Sequence, residues 1–203
     1  MTRFNNGIYD REDAKDWMQD RIKLFKLTRE SVLSQKGDFK WIISFDERTP
    51  KNVIDKCITD DRMIVTFKDV RECFSEIEVD TDWVITTRLD NDDIYLDGAV
   101  EAIQENFNNY VHVIDIDYFQ YETKTNKKFT SNRKAANSPF LSLVEPSNYV
   151  RTCYCRPHHL LLSGYPSESG EKISIPAKKI NNPFALMVIH SDNMANKIVG
   201  EEV

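Results

Sequence analysis

The sequence predicts an α/β protein with a mixed sheet, in which a parallel first half is followed by antiparallel strands. Helix-type and strand-type patterns alternate through residues 1–110, and such alternation is typical of parallel strands joined by helices. Strand-type patterns dominate residues 111–203. The chain has 203 residues, of which 40% are hydrophobic, so it can fill one core. We therefore expect a single domain over residues 1–203 that changes character near residue 110.

Charge and hydropathy exclude several classes of protein. Lys and Arg together number 27 and Asp and Glu 33, a net charge of −6 that argues against broad nucleic-acid binding. There is no polybasic patch for a membrane surface, and no apolar run approaches the roughly 18–20 residues of a membrane span. The polar stretch Met1–Asp10 is unlike a signal peptide. We expect a cytoplasmic protein with no nucleic-acid partner and no membrane span.

The first half contains four clear elements before its central stretch. A long helix is predicted over Tyr9–Lys36, because apolar residues recur there at helical spacing. Strands are predicted over Phe39–Phe45 and Arg62–Phe67, with a short helix opened by Pro50 and ending at Ile58 between them. The order helix, strand, helix, strand predicts parallel strands with helices on both faces of the sheet.

The most informative stretch runs from Trp83 to Asp93. Aromatic and β-branched residues over Trp83–Thr87 predict a strand, and three carboxylates follow within four residues, at Asp90, Asp92 and Asp93. In open α/β sheets, ligands bind at the edge where such strands end. An amphipathic helix is predicted to follow, with apolar residues at helical spacing: Leu96, Val100, Ile103 and Phe107.

Two interpretations of these acids are open. Carboxylates this close repel one another and raise each other's pKa, and a divalent cation removes that repulsion. Asp90 and Asp92 could bind one hard metal ion and leave positions open for phosphate oxygens. The alternative is a polar loop in which Asp92 or Asp93 caps the following helix. A calcium loop of the EF-hand type does not fit, because Ile94 stands where a ligand is needed.

Arg88–Asp93 resembles the Asp-x-Asp motif of GT-A glycosyltransferases, which use nucleotide-sugar donors. The longer pattern is similar to a bacterial and phage family identified as rhamnosyltransferases. Three further segments carry the similarity across nearly the whole chain: Thr2–Asn5, Ser34–Asp46 and Val188–Asn193. The acidic motif is the most specific of these matches.

The resemblance implies a GT-A fold, with the nucleotide sugar bound by residues 1–110 and the acceptor by residues 111–203. In the resembling family, the match to Thr2–Asn5 closes the first strand, and the nucleotide base lies beside it. No apolar run precedes Thr2, so the first strand is either nearly absent or the chain is a shortened form. The nucleotide-binding residues implied in this way are Thr2, Arg3, Phe4, Arg88, Asp90 and Asn91.

The resemblance also implies a metal site. In many GT-A enzymes a C-terminal histidine coordinates the metal opposite the Asp-x-Asp motif, and His190 matches that position. With Asp90, Asp92 and His190 as ligands, Mn²⁺ is favoured over Mg²⁺, because imidazole is a ligand. The catalytic residues implied or considered are Asp90, Asp92, Asp93, Arg88 and His158, the last with a purely structural histidine as the alternative.

These expectations define one function and two rivals. The expected function is a metal-dependent glycosyltransferase that moves a sugar from a nucleoside-diphosphate sugar, UDP-linked first and dTDP-linked second, to a carbohydrate or glycan acceptor. One rival is another metal-dependent nucleotide enzyme, such as a nucleotidyltransferase, but the six glycines form no phosphate-cradling loop. The other rival is a carbohydrate-binding protein without catalytic activity.

The second half is predicted to be mainly strands. A hairpin is indicated over Tyr118–Lys134, and loops are indicated over Ser167–Lys172 and Ala177–Asn182, where polar residues concentrate. The remaining segments have strand patterns: Tyr110–Ile116, Phe140–Val144, Val150–Cys155 and Ala185–Ile189.

The sequence also bears on the state of the cysteines and on the catalytic base. Four cysteines, at positions 57, 73, 153 and 155, are expected to be free thiols, since no second pair has the spacing of a zinc site. Inverting transferases use a carboxylate base, and the usual Glu-Asp pair after the hairpin is missing, which favours a retaining mechanism or an unrecognised base. The candidates for that base are Glu145, Glu168 and the histidines.

Overall fold

A computed structural model describes residues 1–131, 138–190 and 197–203. In this part of the chain it shows three α-helices, namely α1 (Ala14–Leu33), α2 (Lys51–Cys57) and α3 (Ala99–Glu105). The strands are β1 (Thr2–Arg3), β2 (Trp41–Ser44), β3 (Met63–Thr66), β4 (Trp83–Thr87), β5 (Ile94–Tyr95), β6 (His112–Glu122), β7 (Lys127–Thr130), β8 (Leu141–Pro146), β9 (Tyr165–Pro166), β10 (Lys172–Ile173) and β11 (Ala177–Ile189).

The first half forms a small parallel sheet in the order β1–β2–β3. Thr2 pairs with Ile43, and Trp41 pairs with Met63, so all three strands run in the same direction. The predicted helices and strands are present, although α1 is shorter than the predicted range because Ile8–Asp10 form a 3₁₀ turn instead. Helix α1 ends before Gly37, whose φ of +97° is a left-handed conformation that favours glycine.

The second sheet is mixed and has the order β4–β8–β6–β11–β5, with β7 paired to β6. Strand β8 is antiparallel to both β4 and β6, whereas β11 runs parallel to β6. The fold is therefore α/β with a mixed sheet, as the sequence predicts. The strand pattern of the central stretch is confirmed too, but β4 hydrogen-bonds along its length to β8 and so belongs to the mixed sheet.

The two sheets adjoin at Met1. Its amino nitrogen donates a hydrogen bond to the Thr87 carbonyl at 2.6 Å, and the Leu89 amide donates to the Met1 carbonyl at 3.1 Å. The hydroxyl of Thr2 also donates to the Leu89 carbonyl at 2.9 Å. These contacts hold the start of β1 beside the end of β4 and bring the two predicted site segments to one edge.

Aromatic side chains pack the parallel sheet against α1. The rings of Phe4 and Phe25 lie 5.0 Å apart, and those of Phe25 and Trp41 lie 5.3 Å apart. Met18, Phe25 and Val32 of the predicted apolar stripe are all buried, so the helical spacing identified the core-facing side correctly. Within the described ranges, no helix combines the length and apolar character that crossing a membrane requires.

Two predictions for the second half are wrong. No strand forms over Val150–Cys155, because Thr152 has a positive φ of 67° and the Glu145 carboxylate, rather than a neighbouring strand, accepts the amide hydrogens of Arg151 and Thr152. Residues 177–182, predicted as a loop, are the first half of β11. They pair in parallel with β6, and the register shifts near Pro183 explain why the pattern is irregular.

The hairpin prediction is confirmed with different bounds. Strands β6 and β7 form the hairpin, and Asn126 in the turn has a φ of 58°. Strand β6 also absorbs the separate strand predicted to begin at Tyr110. The last part of the predicted hairpin, residues 132–134, lies outside the described residues, as do the residues that follow His190 up to 196. The predicted loop near Ser167 is the turn between β9 and β10.

Candidate functional site

The three carboxylates that follow β4 have three different environments. The Asp90 side chain is 44% exposed, that of Asp92 is 12% exposed, and Asp93 is buried. None of them caps the next helix: β5 follows directly after Asp93, and Gly98, with a φ of 81°, precedes α3. The interpretation of Asp92 or Asp93 as a helix cap is therefore wrong, because the chain forms a short strand where the helix was expected to start.

Asp92 contacts residues from both ends of the chain. Its Oδ2 atom lies 2.9 Å from Nε2 of His190, at the end of β11, and 2.5 Å from Nη1 of Arg21 on α1. The same Arg21 nitrogen donates to the side-chain oxygen of Asn91 at 2.8 Å. Asp92, His190 and Arg21 are called the Asp92 cluster below.

The Asp92 cluster keeps its carboxylate ionised. Burial raises the pKa of Asp92, but the hydrogen bond with His190 and the charge of Arg21 outweigh burial and hold the pKa below its ordinary value. Sequence reasoning missed Arg21. The signal was present, because Arg21 lies three residues after Met18 and four before Phe25, on the apolar stripe of α1. A charged residue on a core-facing stripe indicates a buried partner of opposite charge.

Asp93 ties the acidic stretch to β11. Its Oδ1 atom accepts a hydrogen bond from the Val188 amide at 2.9 Å. Burial, together with the charges of Asp92 and Asp90, raises the pKa of Asp93 well above its ordinary value. Asp93 therefore holds β11, and with it the end that bears His190, against the acidic stretch rather than facing solvent.

Asp90 belongs to a second group of side chains, called the arginine cluster below: Arg3, Arg88, Asp90 and Tyr154. Arg88 lies 3.3 Å from Asp90, and its guanidinium lies over the Tyr154 ring at 5.2 Å from the ring centre. Arg3 lies over the same ring at 4.9 Å and is 43% exposed. The cluster is thus built from the ends of β1 and β4, with an aromatic ring supplied by the loop after β8. No pattern in the sequence pointed to Tyr154.

The other predicted nucleotide-binding residues make internal contacts. The Thr2 hydroxyl is buried and accepts a hydrogen bond from Nε1 of Trp41 at 2.9 Å. Phe4 is packed in the aromatic core, and the Asn91 amide donates to the Phe4 carbonyl. Of the segment Thr2 to Phe4, only Arg3 therefore directs its side chain to the edge formed by the ends of β1 and β4.

His158 lies in a 3₁₀ turn, His158–Leu160, close to the arginine cluster. Its ring centre is 5.5 Å from that of His159. Burial lowers the pKa of His158, and the positive charge of Arg88 lowers it further. The imidazole of His158 is therefore mainly neutral near pH 7 and can accept a proton.

The two glutamates considered as bases have different positions. Glu145 is fully buried and accepts hydrogen bonds from the Arg151 amide, the Thr152 amide and the Tyr165 hydroxyl at 2.9, 3.0 and 2.8 Å. Burial raises the pKa of Glu145. Glu145 thus organises the loop that carries Tyr154. Glu168 is exposed in the turn between β9 and β10.

The described residues do not contain a preassembled group of three or more metal-ligating side chains. Asp92 and His190 are in contact, whereas the Asp90 carboxylate is engaged by Arg88. A carboxylate and an imidazole suit Mn²⁺ as donors, so the pair fits this metal chemically. Arg21 competes with a cation for Oδ2 of Asp92. The four cysteines are free thiols.

The sequence matches no protein-family model, and no curated protein matches it. The chemistry of the side chains in the two clusters is what indicates a function.

Proposed function

We propose that the protein is a metal-dependent glycosyltransferase of the GT-A fold. It would transfer a sugar from a nucleoside-diphosphate sugar, UDP-linked in preference to dTDP-linked, to a carbohydrate acceptor. The observation that carries this proposal is the contact between Asp92 and His190 at 2.9 Å. These residues are 98 positions apart, and the resemblance of the acidic motif and of the C-terminal segment implied that both hold one metal ion.

The position of the two clusters supports the proposal. Asp90 and Asp92 follow the end of β4, and β1 begins beside that end because Met1 bonds to Thr87 and Leu89. The carboxyl ends of neighbouring parallel strands form the edge where α/β sheets bind nucleotides. The Asp92 cluster and the arginine cluster therefore occupy the place expected of a nucleotide-sugar site.

In this proposal Asp92, His190 and Asp90 hold Mn²⁺, or Mg²⁺ as the second choice. The bound metal would supply Lewis-acid stabilisation of the diphosphate leaving group. Asp92 and His190 already lie together, and Asp90 is the most exposed of the three carboxylates and can turn from Arg88. Arg21 neutralises Asp92 in the absence of a cation, which offsets the mutual repulsion of the acids.

The arginine cluster would bind the donor. Guanidinium groups match phosphate oxygens in charge and geometry, and Arg3 and Arg88 present two of them at the same edge. Both guanidinium groups pack on the buried Tyr154 ring, which helps to fix their positions. His158, neutral near pH 7 and close to Arg88, is the candidate to accept a proton from the acceptor hydroxyl.

Calorimetric titration with UDP tests the proposal directly. Binding in the micromolar to millimolar range is expected with MnCl₂ and none with EDTA, because a bound metal would offset the repulsion between the acids and the diphosphate. Parallel titrations with dTDP and UMP compare the affinities for the two bases and test whether binding requires the second phosphate. Equal UDP affinity with Mn²⁺ and with EDTA would sink the metal-dependent transferase and favour a carbohydrate-binding protein. Metal-dependent binding of nucleoside triphosphates in preference to UDP would favour a nucleotidyltransferase.

A further inference from the structure

Arg88 and Asp90 form an ion pair between residues two positions apart, and the described part of the chain contains four further arginine–aspartate pairs with this spacing. They are Arg11 with Asp13, Arg48 with Asp46, Arg62 with Asp60, and Arg71 with Asp69. In these four pairs, Nε of the arginine lies 2.8 or 2.9 Å from Oδ1 of the aspartate. The same two atoms lie 3.4 Å apart in Arg88 and Asp90, so the pair at the candidate site is the longest of the five.

Burial does not explain this length. Arg88 is 23% exposed, whereas Arg11 is 42% exposed, and opposite charges attract more strongly where less water surrounds them. The position of Arg88 has other supports, because its guanidinium packs over the Tyr154 ring at 5.2 Å and its backbone amide donates to the Leu141 carbonyl. Arg88 can therefore stay in place when Asp90 leaves it.

Arg3, the other guanidinium of the arginine cluster, also has a long ion pair. It lies 3.7 Å from Oδ1 of Asp69, and Nε of Arg71 lies only 2.8 Å from that same oxygen. Two guanidinium groups with long carboxylate contacts thus pack on one aromatic ring. Both groups keep most of their capacity for short hydrogen bonds to an incoming anion.

Asp90 is the carboxylate that stands between Arg88 and such an anion. Asp92 is engaged by His190 and Arg21, and Asp93 is buried, whereas Asp90 is 44% exposed and contacts Arg88. A carboxylate and a phosphate offer anionic oxygens to the same N–H groups of a guanidinium. A diphosphate must therefore displace Asp90 to reach the N–H groups of Arg88 that Asp90 contacts.

We propose that Asp90 is an internal competitor of the donor diphosphate for Arg88, and that a divalent cation removes this competition by binding Asp90. The inference rests on the proposed function. Asp90 passes from the guanidinium to the metal, and Arg88 passes from the carboxylate to the diphosphate. Because binding free energies are linked, each ligand then raises the affinity for the other, in addition to any direct contact between them.

The experiment uses inorganic pyrophosphate in EDTA, which presents a diphosphate without a base and without a metal. Calorimetric titrations compare the parent protein with Asp90→Asn, and Arg88→Met with the double variant. Asp13→Asn is the matched control, because it removes the carboxylate of a pair with the same order and spacing. Asp90→Asn should bind pyrophosphate about tenfold more tightly than the parent protein, and most of this gain should vanish when Arg88 is replaced.

A gain of equal size with and without Arg88 would overturn the proposal, because it would come from lost repulsion alone. No gain in Asp90→Asn, or the same gain in Asp13→Asn, would overturn it too.

The affinity for Mn²⁺ alone, measured by electron paramagnetic resonance, gives a second test. Arg88→Met should raise this affinity about threefold or more, because Asp90 is released as a ligand. An unchanged or lower affinity would overturn the exchange of partners. UDP titration of the parent protein with MnCl₂ and with EDTA tests the proposed function separately, since it involves neither pyrophosphate nor a variant.

Discussion

Asp92 of the Asp92 cluster and Asp90 of the arginine cluster are only two residues apart in the sequence. The two clusters nevertheless differ in burial and in how far along the chain their contacts reach. Asp92 is 12% exposed and is held by side chains from α1 and β11, whereas Asp90 is 44% exposed and contacts its near neighbour Arg88. The first cluster depends on contacts that span the whole fold. The second depends on two strand ends and one loop.

This difference predicts different roles for the two clusters. A buried carboxylate with fixed partners is preorganised, so its removal leaves other charges without compensation. Arg3, which is 43% exposed, and Arg88, which is 23% exposed, can meet an incoming phosphate at less cost to the fold. We therefore expect the Asp92 cluster to govern both metal binding and stability, and the two arginines of the arginine cluster to govern nucleotide affinity.

The largest expected effect comes from Asp92→Asn. It keeps the shape of the side chain but removes the charge, so transferase activity should fall by about two orders of magnitude or more, because several kcal/mol of Lewis-acid stabilisation are lost. The affinity for UDP, measured by titration in MnCl₂, should fall by a similar factor. The matched control is Asp97→Asn, which changes an exposed carboxylate close by in the sequence.

Combining Asp92→Asn with His190→Ala sharpens this test. If both residues hold one ion, the double variant should bind Mn²⁺–UDP no more weakly than Asp92→Asn alone, since one site is dismantled twice. Additive losses, or an undiminished affinity in His190→Ala, would show that His190 is not a ligand.

Arg21→Met should have the next largest effect, and it acts on stability. Its removal leaves the carboxylate of Asp92 buried with only His190, so the free energy of unfolding should fall by about 3 kcal/mol. Mn²⁺ should restore part of this loss by replacing the missing positive charge. Chemical denaturation with and without MnCl₂ measures both effects, with Lys23→Met, an exposed cation on the same helix, as the control. If stability is lost and Mn²⁺ restores none of it, Arg21 is not part of the metal site.

Arg88→Met should have a smaller effect, confined to the nucleotide. Losing one charged hydrogen-bond donor to a phosphate is worth about 1.4 kcal/mol, or tenfold in UDP affinity. The affinity for Mn²⁺ alone should not fall, because Arg88 makes no contact with Asp92 in the described structure and its removal frees the Asp90 carboxylate for the metal. Arg11→Met, which removes another surface ion pair, is the control. A parallel loss of Mn²⁺ affinity would contradict the division between the two clusters.

The sequence predicted the local elements well and the long-range contacts poorly. The apolar stripe of α1 follows from periodicity, and the strand at Trp83 follows from its aromatic and β-branched residues, because both are local properties of the sequence. The contact of Asp92 with Arg21 and the position of Tyr154 depend on how distant segments pack, and no local pattern records that. The parallel half of β11 was missed at Ala177–Asn182, because its polar residues and bulge conceal the strand pattern.

The smallest expected effect concerns Glu145, which contributes to the arginine cluster indirectly by holding the loop that carries Tyr154. Burial raises the pKa of Glu145 in the folded protein above its unfolded value. Its ionisation therefore opposes folding, and that opposition is absent below about pH 4.5 and grows as pH rises through the folded pKa.

Glu145→Gln removes the ionisation but also loses an acceptor for the Arg151 or Thr152 amide, so it should be less stable than the parent protein at pH 4. The stability gap should narrow between pH 4 and pH 7, by at most about 1.4 kcal/mol per pH unit, as the parent protein alone experiences the ionisation. Urea denaturation across this pH range measures the stability gap. A constant gap would show that burial leaves the pKa of Glu145 unshifted, and a gap that widens would show that the folded protein stabilises the carboxylate.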